Sequence, residues 1–267
     1  MTACALTVSA LLAAALGTAV LSACGNCDSI VRQTALPVLA AGTFDGVAAD
    51  QSAHQLYFAD RSRQAVDMVD VSGASPRFMG SVDLPDSPNG LAAAPTLHRV
   101  YAGMDGGHVA VIDTDRKSQQ FMQVVDTVLV DTSATAPTAD LMDYSPSRHT
   151  LYVATADNGS VVAVDTQTDK VTATFALNTV LEQPRFDPAD GKLYVTAPHI
   201  DSLLQLDPAT GKVLRTYRVP APPRPLPRPT AGQPTPAARQ SPVLSGCRPT
   251  GLGINPSRQL ALVACRG

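Results

Sequence analysis

The sequence predicts an all-β fold built from repeated four-stranded units, and a recurrent tyrosine is the first reason. Each copy of this tyrosine follows Leu or Val in a short apolar run, and successive copies are 44, 51 and 42 residues apart. An aspartate ends the next apolar run 12 or 13 residues further on. The tyrosines are Tyr57, Tyr101, Tyr152 and Tyr194, and the aspartates are Asp70, Asp113, Asp165 and Asp207. Features that recur in near-constant phase indicate an internal repeat.

Each repeat is predicted to contain four short strands. In the third repeat we place them at residues 140–144, 150–154, 160–165 and 170–177, because Val, Thr and Tyr are enriched there and turn residues separate them. Asn158-Gly159 predicts a hairpin, since Asn-Gly accepts positive φ at both central turn positions. We find no amphipathic helix after residue 28. Four-stranded units of about 40–45 residues in series are typical of β-propeller blades.

The repeat also resembles a known family. The likeness is carried by residues 151–154 (LYVA), 162–166 (VAVDT) and 211–213 (GKV). These segments resemble the YVTN-type, YncE-like β-propeller repeat, which covers residues 43–218 well and 250–264 in part. The resemblance implies a ring that usually has seven blades. It implies no single activity, because propellers host many unrelated functions.

The number of repeats falls short of seven. We expect four complete blades and part of a fifth over residues 43–267, since a fifth copy begins at Thr250 and continues to Ala264. The resemblance therefore favours a truncated seven-bladed ring, and a small propeller of four or five blades is the alternative. Residues 24–42 are expected to form a linker, in which 31–38 resemble an outermost strand that could latch a ring.

The first residues predict a cellular address. Residues 1–23 carry no charged side chain, and their apolar run ends in Leu-Ser-Ala-Cys-Gly at 21–25. This resembles the bacterial lipobox, which implies a signal peptide at 1–23 and a lipid, including palmitate, on Cys24. The protein is then expected in the cell envelope, and Gly25 favours the outer membrane, facing the periplasm, of a Gram-negative host. An ordinary signal peptide or an uncleaved anchor is the alternative.

Charge is unevenly distributed along the chain of 267 residues. The net charge of −3 combines −12 over residues 1–207 with +9 over residues 208–267. A nucleic-acid-binding protein would usually be clearly basic, so we expect no nucleic-acid partner. Residues 220–242 contain nine prolines, which predicts an extended surface insertion between the fourth and fifth repeats. This insertion is either a solvated spacer or a docking segment for an aromatic-lined partner.

Cysteines and loop residues provide the candidate sites. Cys247 and Cys265 flank neighbouring predicted strands and could form a disulfide, which leaves Cys27 unpaired near the anchor. His54, His98 and His149 occupy equivalent repeat positions and are predicted turn residues. Loops between the second and third strands, together with the blade connections, should open on one face around the central channel. The candidate ligand residues there are Arg61, Arg63, His108, Asn158, His199 and Arg248.

No motif predicts a particular reaction. The chain has no Trp, no G-x-S-x-G elbow, no phosphate-binding loop and no C-x-x-C-H, and no Cys/His spacing predicts a metal site. We therefore expect no cofactor. The sequence favours a membrane-anchored binding or scaffolding module whose partners are the membrane and envelope proteins. The alternative is an enzyme that uses the channel face, either a lyase or lactonase-like hydrolase or an oxidoreductase-associated protein.

Overall fold

The computed structural model describes residues 42–135, 137–220 and 246–266. The predicted signal peptide, Cys24, the linker up to residue 41 with its latch strand, and residues 221–245, which include most of the proline-rich insertion, lie outside the described residues. None of the helices in the described part of the chain has the length and hydrophobicity that crossing a bilayer requires.

The described residues form four sheets of four strands and one sheet of two strands. The first sheet contains β1 (Phe44–Asp50), β2 (Gln55–Asp60), β3 (Ala65–Asp70) and β4 (Arg77–Asp83). The second contains β5 (Pro88–Ala94), β6 (Arg99–Met104), β7 (His108–Asp113) and β8 (Val124–Leu129). The third contains β9 (Met142–Ser145), β10 (Thr150–Thr155), β11 (Ser160–Asp165) and β12 (Lys170–Ala176). The fourth contains β13 (Pro184–Asp187), β14 (Lys192–Ala197), β15 (Ser202–Leu206) and β16 (Val213–Arg218), and the fifth contains β17 (Pro249–Asn255) and β18 (Leu260–Cys265).

The sheets are arranged as the blades of a β-propeller. Within each sheet the strands pair antiparallel in chain order, as the sequence predicts, and the strands of the third repeat begin and end within two residues of their predicted limits. The first strand of each blade contacts the first strand of the next, from β1 through β5, β9 and β13 to β17. These first strands are therefore the inner strands around the axis. The fifth sheet corresponds to the first half of the fifth repeat.

Buried side chains between successive blades hold them together. Tyr57, Tyr101 and Tyr152 are fully buried, and each belongs to one of three apolar clusters that join residues of neighbouring blades. The hydroxyl of Tyr101 donates to Asp169 of the next blade, and that of Tyr152 accepts from Arg148. A buried tyrosine needs such a partner for its hydroxyl, which explains why polar residues accompany the repeat.

The turns follow the repeat as well. His54, His98 and His149 have φ near +50° directly before the second strand of a blade, so the prediction that they are turn residues is confirmed. The four repeat aspartates accept backbone N–H groups of the residues that follow them. The hairpin at Asn158-Gly159 is present, but only Gly159 has positive φ. Its loop has four residues between Thr155 and Ser160, and loops of that length are usually built on a type I turn.

Two glycines allow the inner strands to approach each other closely. A Cβ on Gly46 would lie 2.7 Å from the carbonyl oxygen of Asn89, and one on Gly90 would lie 2.5 Å from that of Asp140. Both contacts are with backbone, which cannot move aside cheaply. These glycines fix the spacing of the first three blades at one end of their inner strands.

Candidate functional site

One end of the propeller gathers the loops that join second to third strands and the connections between blades. We call this end the channel face. Asp105, in the loop after β6, donates its backbone N–H to Ser87 in the connection before β5. Asn158, in the loop after β10, donates to the carboxylate of Asp131 in the connection before β9, at 3.2 Å. In each case the loop after the second strand of a blade bonds to the connection that enters that blade, so the two kinds of loop lie together at this end.

Arg61 is the predicted candidate that contacts the neighbouring blade at this face. Its Nη2 donates to Oδ2 of Asp105 at 3.1 Å, and its Nη1 donates to the carbonyl oxygen of Pro88 at 3.3 Å. The same Nη1 lies 3.8 Å from Oδ2 of Asp45. One guanidinium group from the first blade therefore binds carboxylates from two blades.

Asn89, which the sequence analysis did not single out, also binds the carboxylate of Asp105. This residue is 4% exposed, and its Nδ2 donates to Oδ1 of Asp105 at 3.1 Å and to the carbonyl oxygen of Ala139 at 3.2 Å. Asp105 is thus held between Arg61 and Asn89. Charged or polar groups held in this way are preorganised, because their rotamers are fixed before any ligand arrives.

Carboxylates outnumber cations at the channel face. We name Asp45, Asp105, Asp140 and Glu182 the carboxylate cluster. Burial, together with repulsion from Glu182 and Asp45, raises the pKa of Asp140 to about 7. Burial likewise raises the pKa values of Asp45 and Glu182. Ionising these carboxyl groups is therefore costly, because they are partly buried and lie close to other acidic groups.

Two guanidinium groups oppose this rise in pKa. Arg61 lowers the pKa of Asp45, and Arg266, which directly follows β18, lowers that of Glu182. Arg266 is held near the cluster because its backbone N–H donates to the carbonyl oxygen of Arg248. The arrangement can surround a positively charged group with carboxylates from several blades.

A disulfide fixes the fifth sheet at this end. Cys247 and Cys265 are bonded, with their Cα atoms 4.9 Å apart, which is the pair that the sequence analysis put forward. Pro249 lies opposite Cys265 in the strand register, so the bond closes β17 onto β18 where the sheet meets the channel face. It also limits the positions that Arg266 can take.

The other predicted candidates are not gathered into one set. Nη2 of Arg63 donates to the hydroxyl of Ser81 at 2.9 Å, within the first blade. Asn158 bonds Asp131 as described, and His108 begins β7 in a half-buried position. His199 lies exposed in the 3₁₀ turn Pro198–Ile200, which follows β14. Arg248 donates its backbone N–H to Asp201 at 2.9 Å.

Sequence reasoning missed most of the carboxylate cluster. Asp45, Asp140 and Glu182 belong to no motif and are far apart in the chain. One signal was available, because Glu182 is the single glutamate of the chain and lies in a blade connection. Among the described residues, no group of three or more His, Cys, Asp or Glu side chains is arranged to hold a metal ion.

Comparisons with known proteins support the fold alone. No protein-family model matches the chain, and no curated protein matches it. It is similar to hydrazine synthase of Kuenenia stuttgartiensis, with 17% identity and a TM-score of 0.58 over 88% of this chain and 78% of that one. It is also similar to a protein of unknown function from Bacteroides caccae, with 11% identity and a TM-score of 0.50 over 66% of this chain and 60% of that one. At such identities the likeness shows a propeller-like all-β fold.

Proposed function

We propose that this protein is a binding module of the bacterial cell envelope, a lipid-anchored β-propeller of the YVTN, YncE-like repeat type. Its channel face would bind a positively charged group of a ligand or of another envelope protein. The observation that carries the proposal is the carboxylate cluster, in which Asp140 has a pKa of about 7. A cation brought to the cluster would relieve the repulsion that raises this pKa.

Arg61 shows how carboxylates of the channel face bind a cation within the protein itself. Its guanidinium group is bound by Asp105, Asp45 and a backbone carbonyl oxygen, and its side chain is 31% exposed. Asp140 and Glu182 form no ion pair among the described residues, although Arg61 acts on Asp140 and Arg266 acts on Glu182 from further away. They are the carboxylates through which a second cation would bind. Partly desolvated charges interact more strongly than those in open water.

The binding proposal can be tested with a hexalysine peptide as the cationic probe. Calorimetry at low salt should show binding to the wild type, and the Asp140→Asn/Glu182→Gln variant should bind at least about tenfold more weakly. A matched variant, Asp115→Asn/Asp126→Asn, removes the same charge away from the channel face and should bind within about twofold of the wild type. Equal losses in the two variants, or no binding to the wild type, would contradict the proposal.

The anchor is tested separately. Labelled palmitate should be incorporated into the wild-type chain expressed in a bacterium, and Cys24→Ala should abolish the incorporation. Cys27→Ala is the matched control and should keep the label, because the lipobox points to Cys24 alone. Several acyl chains would bind the membrane firmly, since each buried CH₂ contributes about 0.8 kcal/mol. A Cys24→Ala chain that still takes up palmitate would refute the proposed address.

The enzymatic alternative has one observation in its favour. A carboxyl group with a pKa of about 7 has the proton affinity that a general acid or base needs at neutral pH, and Asp140 has that pKa. A lyase or lactonase-like hydrolase would therefore use Asp140 at the channel face. Turnover of a panel of lactones that Asp140→Asn abolishes would favour this alternative over the binding module.

A further inference from the structure

A cavity of about 550 Å³ lies at the opposite end of the inner strands, where they turn into the second strands. We call it the turn-end cavity. Its walls come from β9, β13 and β17 and from the turns that follow these strands. Its volume is within the range of pockets that bind small molecules. Its lining extends from the middle of these inner strands to the turns that follow them, whereas the carboxylate cluster lies at or before the start of the inner strands and in the loop after β6.

Large apolar side chains form one wall. Tyr144, Phe186 and Ile254 occupy equivalent positions of three successive inner strands, opposite Leu151, Leu193 and Ala261 in the strand register. The hydroxyl of Tyr144 lies 3.3 Å from that of Thr96, and the ring of Phe186 stacks on Tyr152. Both rings are therefore held in place. The first two blades have Ala49 and Ala93 at this position, so the wall is confined to the later blades.

Prolines of three turns make the rim rigid. Pro146, Pro188 and Pro256 each come directly after an inner strand and line the cavity. Pro146 and Pro256 begin 3₁₀ turns. Because proline fixes φ and offers no N–H group, this rim is apolar and varies little in shape.

An ion pair, Arg185 with Asp143, lies among these apolar residues. Arg185 donates from Nε to the carbonyl oxygen of Leu252 at 3.1 Å, and from Nη1 to the carbonyl oxygen of Met142 at 3.2 Å and to Oδ1 of Asp143 at 2.9 Å. Oδ2 of Asp143 accepts the backbone N–H of Phe186 at 2.7 Å. The guanidinium group is thus fixed by three inner strands.

The remaining nitrogen of Arg185 is available to a ligand. Nη2 makes no hydrogen bond to any of the described residues, although it carries two N–H groups. Nη2 can only donate, so the ligand needs an acceptor oxygen there, and a carboxylate supplies one with the charge that complements a guanidinium group. A rigid donor surrounded by apolar walls recognises a molecule that combines an apolar ring with a terminal acceptor group.

We propose that the turn-end cavity binds a small molecule with an apolar, ring-sized body and a carboxylate, which Arg185 Nη2 holds. This site is independent of the function proposed for the channel face. The body would pack between Tyr144, Phe186 and Ile254. The carboxylate would extend the existing pair of Arg185 and Asp143 without displacing it.

The test uses 2-naphthoate as the probe and 2-naphthylmethylamine as its matched control. Calorimetry should show saturable 1:1 binding of the carboxylate to the wild type, and at least about tenfold weaker binding of the amine, because Nη2 can only donate. Tyr144→Ala should weaken binding of the carboxylate at least about fivefold, since it removes a wall. Arg185→Gln should abolish the preference for the carboxylate over the amine.

Two further variants keep the test decisive. Tyr217→Ala removes an exposed aromatic ring outside the cavity and should leave the affinity unchanged, which separates the cavity from general apolar adsorption. Ser147→Trp, at an exposed position of the rim, should block binding while the circular dichroism spectrum stays that of the wild type. The proposal is overturned if the wild type does not bind 2-naphthoate in a 1:1 ratio. It is also overturned if Tyr217→Ala weakens binding and Tyr144→Ala does not. The Asp140→Asn/Glu182→Gln variant should bind 2-naphthoate normally, so this test and that of the channel face can fail separately.

Discussion

The two ends of the inner strands carry opposite chemistry although the same repeats build both. At the channel face, Arg61 and Asn89 share Asp105, and Asp140 and Glu182 form no ion pair among the described residues. At the turn-end cavity, apolar side chains surround the single satisfied pair of Arg185 and Asp143. The strands determine the spacing of the blades, and the residues at each strand end determine what that end can bind. One scaffold thereby offers a site for a cation and a site for an apolar carboxylate.

The largest expected effect concerns the covalent bond at the channel-face end. The variant Cys247→Ser/Cys265→Ser should lose about 3 kcal/mol of the free energy of unfolding of the fifth sheet, because the bond closes a short loop in the unfolded chain. Urea unfolding and hydrogen exchange of β17 and β18 would measure the loss. Dithiothreitol should destabilise the wild type equally and leave the variant unchanged. A variant as stable as the wild type would show that hydrogen bonding between β17 and β18 holds this sheet without the disulfide.

The second-largest effect is expected where the inner strands approach each other closely. Gly90→Ala should cost about 2 kcal/mol, since its Cβ would lie 2.5 Å from the carbonyl oxygen of Asp140 and would push the second and third blades apart. Gly73→Ala is the matched control, because the nearest atom to its Cβ would lie 3.7 Å away, an ordinary contact. Chemical denaturation compares the two. Equal effects would mean that the blades can adjust their spacing at the channel face.

The two arginines allow a direct comparison of the ends. Arg185→Met should destabilise the protein by about 1 kcal/mol more than Arg61→Met, because it leaves the better buried carboxylate without its partner. The side chain of Asp143 is 21% exposed, whereas that of Asp105, the closest partner of Arg61, is 47% exposed. Denaturation midpoints at constant pH would measure both. A larger loss of stability for Arg61→Met would show that the pair of Arg61 and Asp105 stabilises the fold more than the pair of Arg185 and Asp143.

The last test is a dependence on pH. Asp140 has a pKa of about 7 when folded, above the ordinary value of 3.8, so the folded state binds a proton in this interval that the unfolded state releases. Stability should therefore fall as the pH rises from about 4 to about 7, and Asp140→Asn should reduce this fall. Thermal unfolding over this pH range would show it.

Asp165 provides a control of opposite sign. Backbone N–H groups, first that of Thr168, lower the pKa of Asp165 below its ordinary value. Its stabilising effect is present above the unfolded pKa and is lost as the pH falls through the folded pKa. Asp165→Asn should therefore leave the slope between pH 4 and 7 unchanged. If Asp140→Asn also leaves this slope unchanged, the pKa of Asp140 is not raised in the folded protein.

The sequence alone determined the repeat, the strands, the turn residues and the all-β class. These features follow from local rules, because strand alternation and turn conformation depend on neighbouring residues, as with His98 before β6 and Asp165 at the end of β11. It also drew attention to Cys247 and Cys265, since the repeat placed them on adjacent strands. The address predicted from Cys24 is likewise a matter of sequence and awaits its labelling test.

Only the tertiary structure decided which side chains meet. Arg61 and Arg63 are two residues apart, yet one binds Asp105 of the next blade and the other binds Ser81 within its own blade. Asp140 and Glu182 couple electrostatically across more than 40 residues of chain. Such contacts depend on how blades pack, which in turn depends on the buried tyrosines and on close approaches at Gly46 and Gly90. No local pattern encodes distances set by packing between blades, so both sites became visible only in the folded protein.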